Sequence, residues 1–206
     1  MIISNLNKAF GNVVVLENFC LELPDSGVVA FMSPSGSGKT TLIRILAGIE
    51  KADGGEANVC KKKLSMVFQE NRLLPGVTAA GNVMSVLKKG TTREEMAISW
   101  LDKMGIKTAS HLFPRQLSGG MQRRLSIARA MAYGGDLMIL DEPFTGLDTA
   151  TRKRIYPHIF DETRSKRLTI LVTHDRAEAE SIADRLIVMG GPPLCVLEDI
   201  HLNQQR

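Results

Sequence analysis

Short runs of Val, Ile and Leu recur at residues 28–32, 64–68, 137–140, 168–172 and 185–189, separated by segments with helical spacing. Continuous apolar runs of this length read as strands buried on both faces, and their alternation with helices is the pattern of a covered parallel sheet. Ahead of them, residues 1–8 and 13–23 alternate apolar and polar positions around Phe10-Gly11-Asn12, which predicts a hairpin in a small antiparallel sheet. Over residues 73–113 the period becomes that of helices. One helix is predicted to open at Thr92 with a capping box completed by Glu95, and to carry Met96, Trp100, Leu101 and Met104 on one buried face. The expected fold is α/β: a mainly parallel sheet flanked by helices, with an N-terminal antiparallel β segment and an inserted helical lobe.

Composition narrows the function classes. Hydrophobic residues make up 44% of 206 and charged residues 23%, enough for a real core and too apolar for disorder. No apolar run approaches the roughly 20 residues that span a bilayer, and no leader peptide is recognisable, so a cytoplasmic setting is expected. Cys20, Cys60 and Cys195 lie far apart and form no metal-binding pair; they are expected to be buried thiols. Twenty-six Lys and Arg against twenty-two Asp and Glu leave a net charge of +4, and only one Trp and two Tyr could stack on bases. No nucleic-acid partner is expected. The run Lys61-Lys62-Lys63 reads as a solvated turn or strand edge.

The strand at 28–32 leads into Ser33-Pro34-Ser35-Gly36-Ser37-Gly38-Lys39-Thr40-Thr41 and then a helix, which is the context of a phosphate-binding loop. Glycines allow successive backbone N–H groups to turn inward around a phosphate, and the helix start adds partial positive charge. Lys39 is expected to reach the β and γ phosphates and the Thr40 hydroxyl to ligate Mg²⁺. Ser33 stands where the pattern has Gly. Being small, it is expected to be tolerated with a less permissive backbone, so that Ser33→Gly would be neutral or favourable. About a hundred residues on, the strand at 137–140 ends in Asp141-Glu142. Asp141 is expected to reach the Mg²⁺ shell and Glu142 to polarise a water.

With these motifs the chain resembles, over nearly its whole length, the ATP-binding cassette ATPase subunits of membrane transporters, built on a RecA-like P-loop NTPase core. Leu117-Ser118-Gly119-Gly120-Met121 is similar to that family's LSGGQ signature, with Met121 in place of Gln. Gln69 matches its Q-loop, Asp148 in Thr145-Gly146-Leu147-Asp148 its D-loop, and His174 its switch histidine. Phe10 lies where the family stacks an aromatic ring on adenine, although a core aromatic at a hairpin tip reads the same way. His174 could equally be a helix-entry residue, since Asp175 and Glu178 make a capping box of their own.

The resemblance implies one cassette domain over residues 1–206, with the core at 1–72 and 132–206 and the helical lobe at 73–131. It implies ATP and Mg²⁺ as ligands, Mg²⁺ being held by Thr40, Gln69 and, through water, Asp141. Glu142, His174 and Gln69 are the implied catalytic residues. It further implies a head-to-tail dimer in which the signature residues of one cassette face the ATP of the other. Transmembrane permease subunits and an extracytoplasmic solute-binding protein would complete an importer, with this chain peripheral on the inner face of the membrane. Phe68-Gln69-Glu70-Asn71-Arg72-Leu73-Leu74-Pro75 with Thr78 and Asn82 looks like the nitrate, sulfonate and taurine importers. The thirty positions from Lys39 to Gln69 suggest a trimmed antiparallel sheet, and the end of the chain leaves no room for a regulatory domain. A soluble non-transport cassette ATPase and a non-enzymatic regulatory cassette are the rival readings. The first usually brings a coiled-coil insertion, and the second a damaged Lys or Glu.

Overall fold

The computed structural model describes residues 1–58, 63–161 and 164–202, so that Cys60, Lys61 and Lys62 lie outside the described residues. In chain order the elements are β1 (Ile2–Phe10), β2 (Val13–Glu22), β3 (Gly27–Met32), α1 (Lys39–Leu46), β4 (Gly54–Ala57) and β5 (Leu64–Val67). They continue with α2 (Ala79–Met84), α3 (Arg93–Lys103), α4 (Gly119–Tyr133), β6 (Leu137–Asp141) and α5 (Thr149–Tyr156). The last are β7 (Leu168–Val172), α6 (Arg176–Ile182), β8 (Arg185–Gly190) and β9 (Cys195–His201). They fall into two compact units, one of Met1–Leu64, Asp136–Ile139 and Arg164–Arg206, the other of Ser65–Gly135 and Leu140–Thr163.

In the first unit, β1 and β2 pair antiparallel from Ile2 opposite Glu22 to Phe10 opposite Val13, the hairpin predicted by the alternating pattern. Gly11 holds φ 57° in the turn, a left-handed conformation that glycine adopts without a side-chain clash. The four-residue β4 adds to the free side of β1, giving the order β2-β1-β4. Its sequence Gly-Gly-Glu-Ala carries no apolar alternation, so nothing in the pattern announces it. The larger sheet has the order β5-β6-β7-β3-β8-β9, with β5 and β6 entering this unit through Leu64 and Leu137 to Ile139. Central β3 pairs in parallel with β7 and β8, and Val28 through Phe31 are almost wholly buried, as a strand covered on both faces must be. The edge strand β9 runs antiparallel to β8.

The second unit is mostly helical. α3 buries Ala97 and Leu101, with Met104 at its C-cap. The predicted Thr92 capping box does not form: Thr92 is the N-cap residue, with φ −91° and ψ 3°, and its side chain makes no capping bond. An extended N-cap backbone is what aims the hydroxyl at the orphan N–H groups, and Thr92 lacks it. Met96 is 46% exposed, so the expected stripe is narrower than its spacing suggested. Phe144, Tyr156 and Phe160 pack edge to face, with ring centroids 4.8 to 6.0 Å apart. Cys20 and Cys195, expected to be buried, are both exposed; each lies on a strand face turned to solvent.

Candidate nucleotide site

In the first unit the phosphate-binding sequence forms a loop between β3 and α1. Gly36 and Gly38 take φ 80° and 103°, a conformation L residues adopt only with strain, which curls the backbone into the first turn of α1. Gly38 is also packed: a Cβ there would come within 2.7 Å of Val15 Cγ1 and 3.2 Å of the Val15 carbonyl. The Lys39 ammonium reaches back to the Ser33 carbonyl at 3.4 Å, while Pro34, Ser35 and Thr40 are exposed and Thr41 half-buried. Ser33 departs from expectation. Its φ is not positive, and its hydroxyl accepts a 2.7 Å bond from buried Ser37. The serine therefore braces the loop instead of straining it.

Because β3 and β7 are adjacent and parallel, with Phe31 opposite Val172, the loop after β3 and His174 after β7 leave the sheet at the same end. That end, past the carboxyl termini of parallel strands, is where open α/β sheets take ligands. His174 is exposed. The capping box proposed beside it forms by half: Asp175 accepts from the Glu178 N–H at 3.1 Å, but the Glu178 carboxylate takes the Thr173 hydroxyl at 2.8 Å. Phe10 is 48% exposed at the end of β1, with the Lys8 ammonium 5.0 Å from its ring centroid. Lys8 also reaches Glu50 at 2.9 Å and Asp53 at 3.1 Å; the bonds to these two carboxylates raise its pKa. Phe10 is thus half-exposed and no core aromatic.

The second unit gathers Gln69, Asp141, Glu142, Asp148 and the signature. Leu117 is buried, and Ser118 is the N-cap of α4, its hydroxyl accepting from the Met121 N–H at 3.3 Å. Gly119 and Gly120 open the helix, so its first N–H groups are oriented outward with the positive end of the helix dipole. A Cβ on Gly120 would sit 3.5 Å from Leu147 and 3.8 Å from the Gly146 carbonyl, so the segment at 146–147 packs on the start of α4. Asp148 itself caps α5, accepting from Thr151 through its N–H at 2.9 Å and its hydroxyl at 2.7 Å. Those bonds, the backbone one first, lower its pKa. Gln69 is exposed, and Asp141 and Glu142 half-buried.

Sequence reading passed over Arg123, whose guanidinium is buried and ties the Phe68, Gln69, Asp141, Glu142 and Pro143 carbonyls together. Burial lowers its pKa, against the nearby Asp141 and Glu142 charges. Its signal was a charged residue on the buried face of α4, beside Ser126, Ile127 and Ala130. Thr78 and Asn82 prove architectural: Thr78 caps α2, and wholly buried Asn82 bonds Leu74, Val77 and Thr78.

A strand, glycine-rich loop and lysine-headed helix beside a parallel strand define a P-loop nucleotide-binding protein. A sequence model of the ABC transporter family matches residues 16–145. The chain is 34% identical to the nitrate import ATP-binding protein of Synechocystis over 98% of its own length and 82% of that protein. It is 36% identical to an aliphatic sulfonates import ATP-binding protein of Rhodococcus jostii, over 91% of the chain and 70% of the relative. To the sulfate/thiosulfate import ATP-binding protein of Neisseria meningitidis serogroup A it is 38% identical, spanning little more than half, 58%, of that protein. A dimeric ATP-binding cassette in a post-hydrolysis state bound to ADP and Pi superposes with a TM-score of 0.86 at 26% identity, 98% of each chain being covered. The chain belongs to the ABC transporter family.

Proposed function

We propose that this chain is the ATP-hydrolysing subunit of an importer for a small oxyanion or sulfonate, of the kind its nitrate and sulfonate relatives are named for. The observation that carries the reading is the phosphate loop: two left-handed glycines and the start of α1 at Lys39, at the carboxyl end of β3. Such a glycine turn, the helix dipole and Lys39 suit a polyphosphate. Mg²⁺ would be held by Thr40, Gln69 and, through water, Asp141, with no dedicated cage, as suits a cation that keeps waters and phosphate oxygens. Among the described residues no group of three or more His, Cys, Asp or Glu is placed to hold a metal. When bound, the ion neutralises charge on the phosphates.

In this reading Phe10 stacks on adenine and residues 33–41 cradle the phosphates. Glu142 orients and deprotonates the attacking water, and His174 holds that water in line. Residues 117–121 complete the site of a second cassette, as the exposed helix start at Ser118 suits, and Asp148 lies in the loop between the two. The helical lobe at 73–131 receives a transmembrane permease, a solute-binding protein delivers the solute, and the chain works on the cytoplasmic face of the membrane. Among the described residues no helix is long and apolar enough to cross a membrane.

The test is Glu142→Gln. Nucleotide affinity should hold while Mg²⁺-dependent hydrolysis slows by a factor on the order of a hundred, the usual effect of removing a positioned base. Light scattering of that variant should show a dimer with ATP and not with ADP. Wild-type turnover in Glu142→Gln would overturn the assignment.

A further inference from the structure

Two non-glycine residues of the second unit, Arg72 and Glu142, hold left-handed backbone, at φ 41° and 45°. Such conformations are sterically costly and persist only where the surroundings over-determine them, characteristically at functional sites. One helix supplies the restraint for both. From α4, Arg123 Nη2 donates to the Glu142 carbonyl at 2.5 Å, and Arg129 Nη2 donates to the Arg72 carbonyl at 2.8 Å.

Arg123 does more. Its Nε donates to the Pro143 carbonyl at 2.8 Å and Nη2 also to the Asp141 carbonyl at 2.8 Å. Nη1 donates to the Phe68 and Gln69 carbonyls at 2.5 and 3.1 Å and lies 3.5 Å from Asn71 Oδ1. The residue is 4% exposed. Five backbone carbonyls from two segments thus converge on the five N–H groups of one guanidinium. A lysine has three donors on one atom and a glutamine two, so neither can span the set.

We propose that Arg123 is a positioning residue for ATP hydrolysis: its guanidinium locks segment 68–69 to segment 141–143 and holds the left-handed backbone from which the Glu142 side chain projects. This rests on the assignment of Gln69 and Glu142 made above. Arg123 acts through the backbone carbonyls it binds: it fixes the angles at which those side chains leave the chain. Losing it should therefore slow turnover without weakening capture of nucleotide by the loop at Ser33 to Thr41.

Arg123→Lys and Arg123→Gln in the full chain provide the test, with Glu142→Gln as reference. Each should bind a fluorescent ADP analogue in the absence of Mg²⁺ within twofold of wild type and keep KM within twofold, while kcat falls tenfold or more. Hydrogen exchange should accelerate in both 68–71 and 141–144. Wild-type kcat in folded Arg123→Lys or Arg123→Gln overturns the proposal, as does a fall in kcat matched by an equal loss of ADP-binding chains. Exchange in the wild-type chain decides the matter even where both variants unfold: the two segments should open together across a denaturant series, and independent opening refutes the lock. An inactive Glu142→Gln beside fully active Arg123 variants refutes the role of Arg123 alone, whereas an active Glu142→Gln refutes the base assignment beneath it.

Discussion

Replacing Ser33 by glycine restores the common form of the phosphate loop, and the structure says it should weaken nucleotide binding. Ser33 needs no left-handed freedom, and its hydroxyl takes the 2.7 Å bond from Ser37, which is 1% exposed. Removing the acceptor forfeits a bond worth about 0.5–1.5 kcal/mol net and leaves a buried hydroxyl to find another partner. Ser33 is only half-buried, so water can partly replace it, and about 1 kcal/mol is a fair figure for Ser33→Ala. Glycine adds about 0.5–1 kcal/mol of backbone freedom to be lost again on ordering. Where the loop is ordered by nucleotide, these costs appear in affinity: roughly fivefold for alanine and on the order of tenfold to thirtyfold for glycine. Fluorescent ADP titration measures both. Ser37→Ala should resemble Ser33→Ala, and the double variant should lose little more than either, because one bond is removed once. Binding by Ser33→Gly as tight as wild type, or a fully additive double variant, would refute the brace.

Asn82→Leu removes four bonds to the chain at Leu74, Val77 and Thr78 from a wholly buried position, and is expected to cost about 1–3 kcal/mol because that loop is partly open to water. For a chain of this size that lowers Tm by roughly 2–12 °C in a calorimetric scan, and an unchanged Tm would contradict it. At the sheet edge, Arg185 grips Asp199 through two bonds of 2.7 and 2.6 Å, which hold the Asp199 carboxyl below its ordinary value. A carboxylate with a lowered folded pKa stabilises above its unfolded value, and that contribution is lost as pH falls through the lowered one. Asp199→Asn should therefore be slightly less stable than wild type at pH 7, by under about 1 kcal/mol since the pair is partly exposed, and equal to it in strong acid. A difference that grows on acidification would count against the pairing.

What the chain determined by itself was local. Apolar runs long enough for a buried strand and too short for anything else marked β3, β5, β6, β7 and β8, and the alternation around Gly11 marked the hairpin. The phosphate loop was legible because its chemistry depends on consecutive residues, glycines and a lysine at the head of a helix. Asp141 and Glu142 were legible for the same reason, as polar residues ending an apolar strand. Tertiary structure decided whatever depends on residues distant in the chain. Thr92 and Glu95 have capping-box spacing, yet the backbone at Thr92 does not extend, and no local pattern reports that. Cys20 and Cys195 follow a buried prior for their residue type, but the faces of β2 and β9 that carry them point to solvent. The serine at position 33 read as a departure until Ser37 closed on it. Arg123 went unmarked in the sequence because the five carbonyls that meet its guanidinium lie more than fifteen residues away. Hydrogen-bond satisfaction of a buried group is a property of the space around it, and only the folded chain brings those partners within 3 Å or so of each donor.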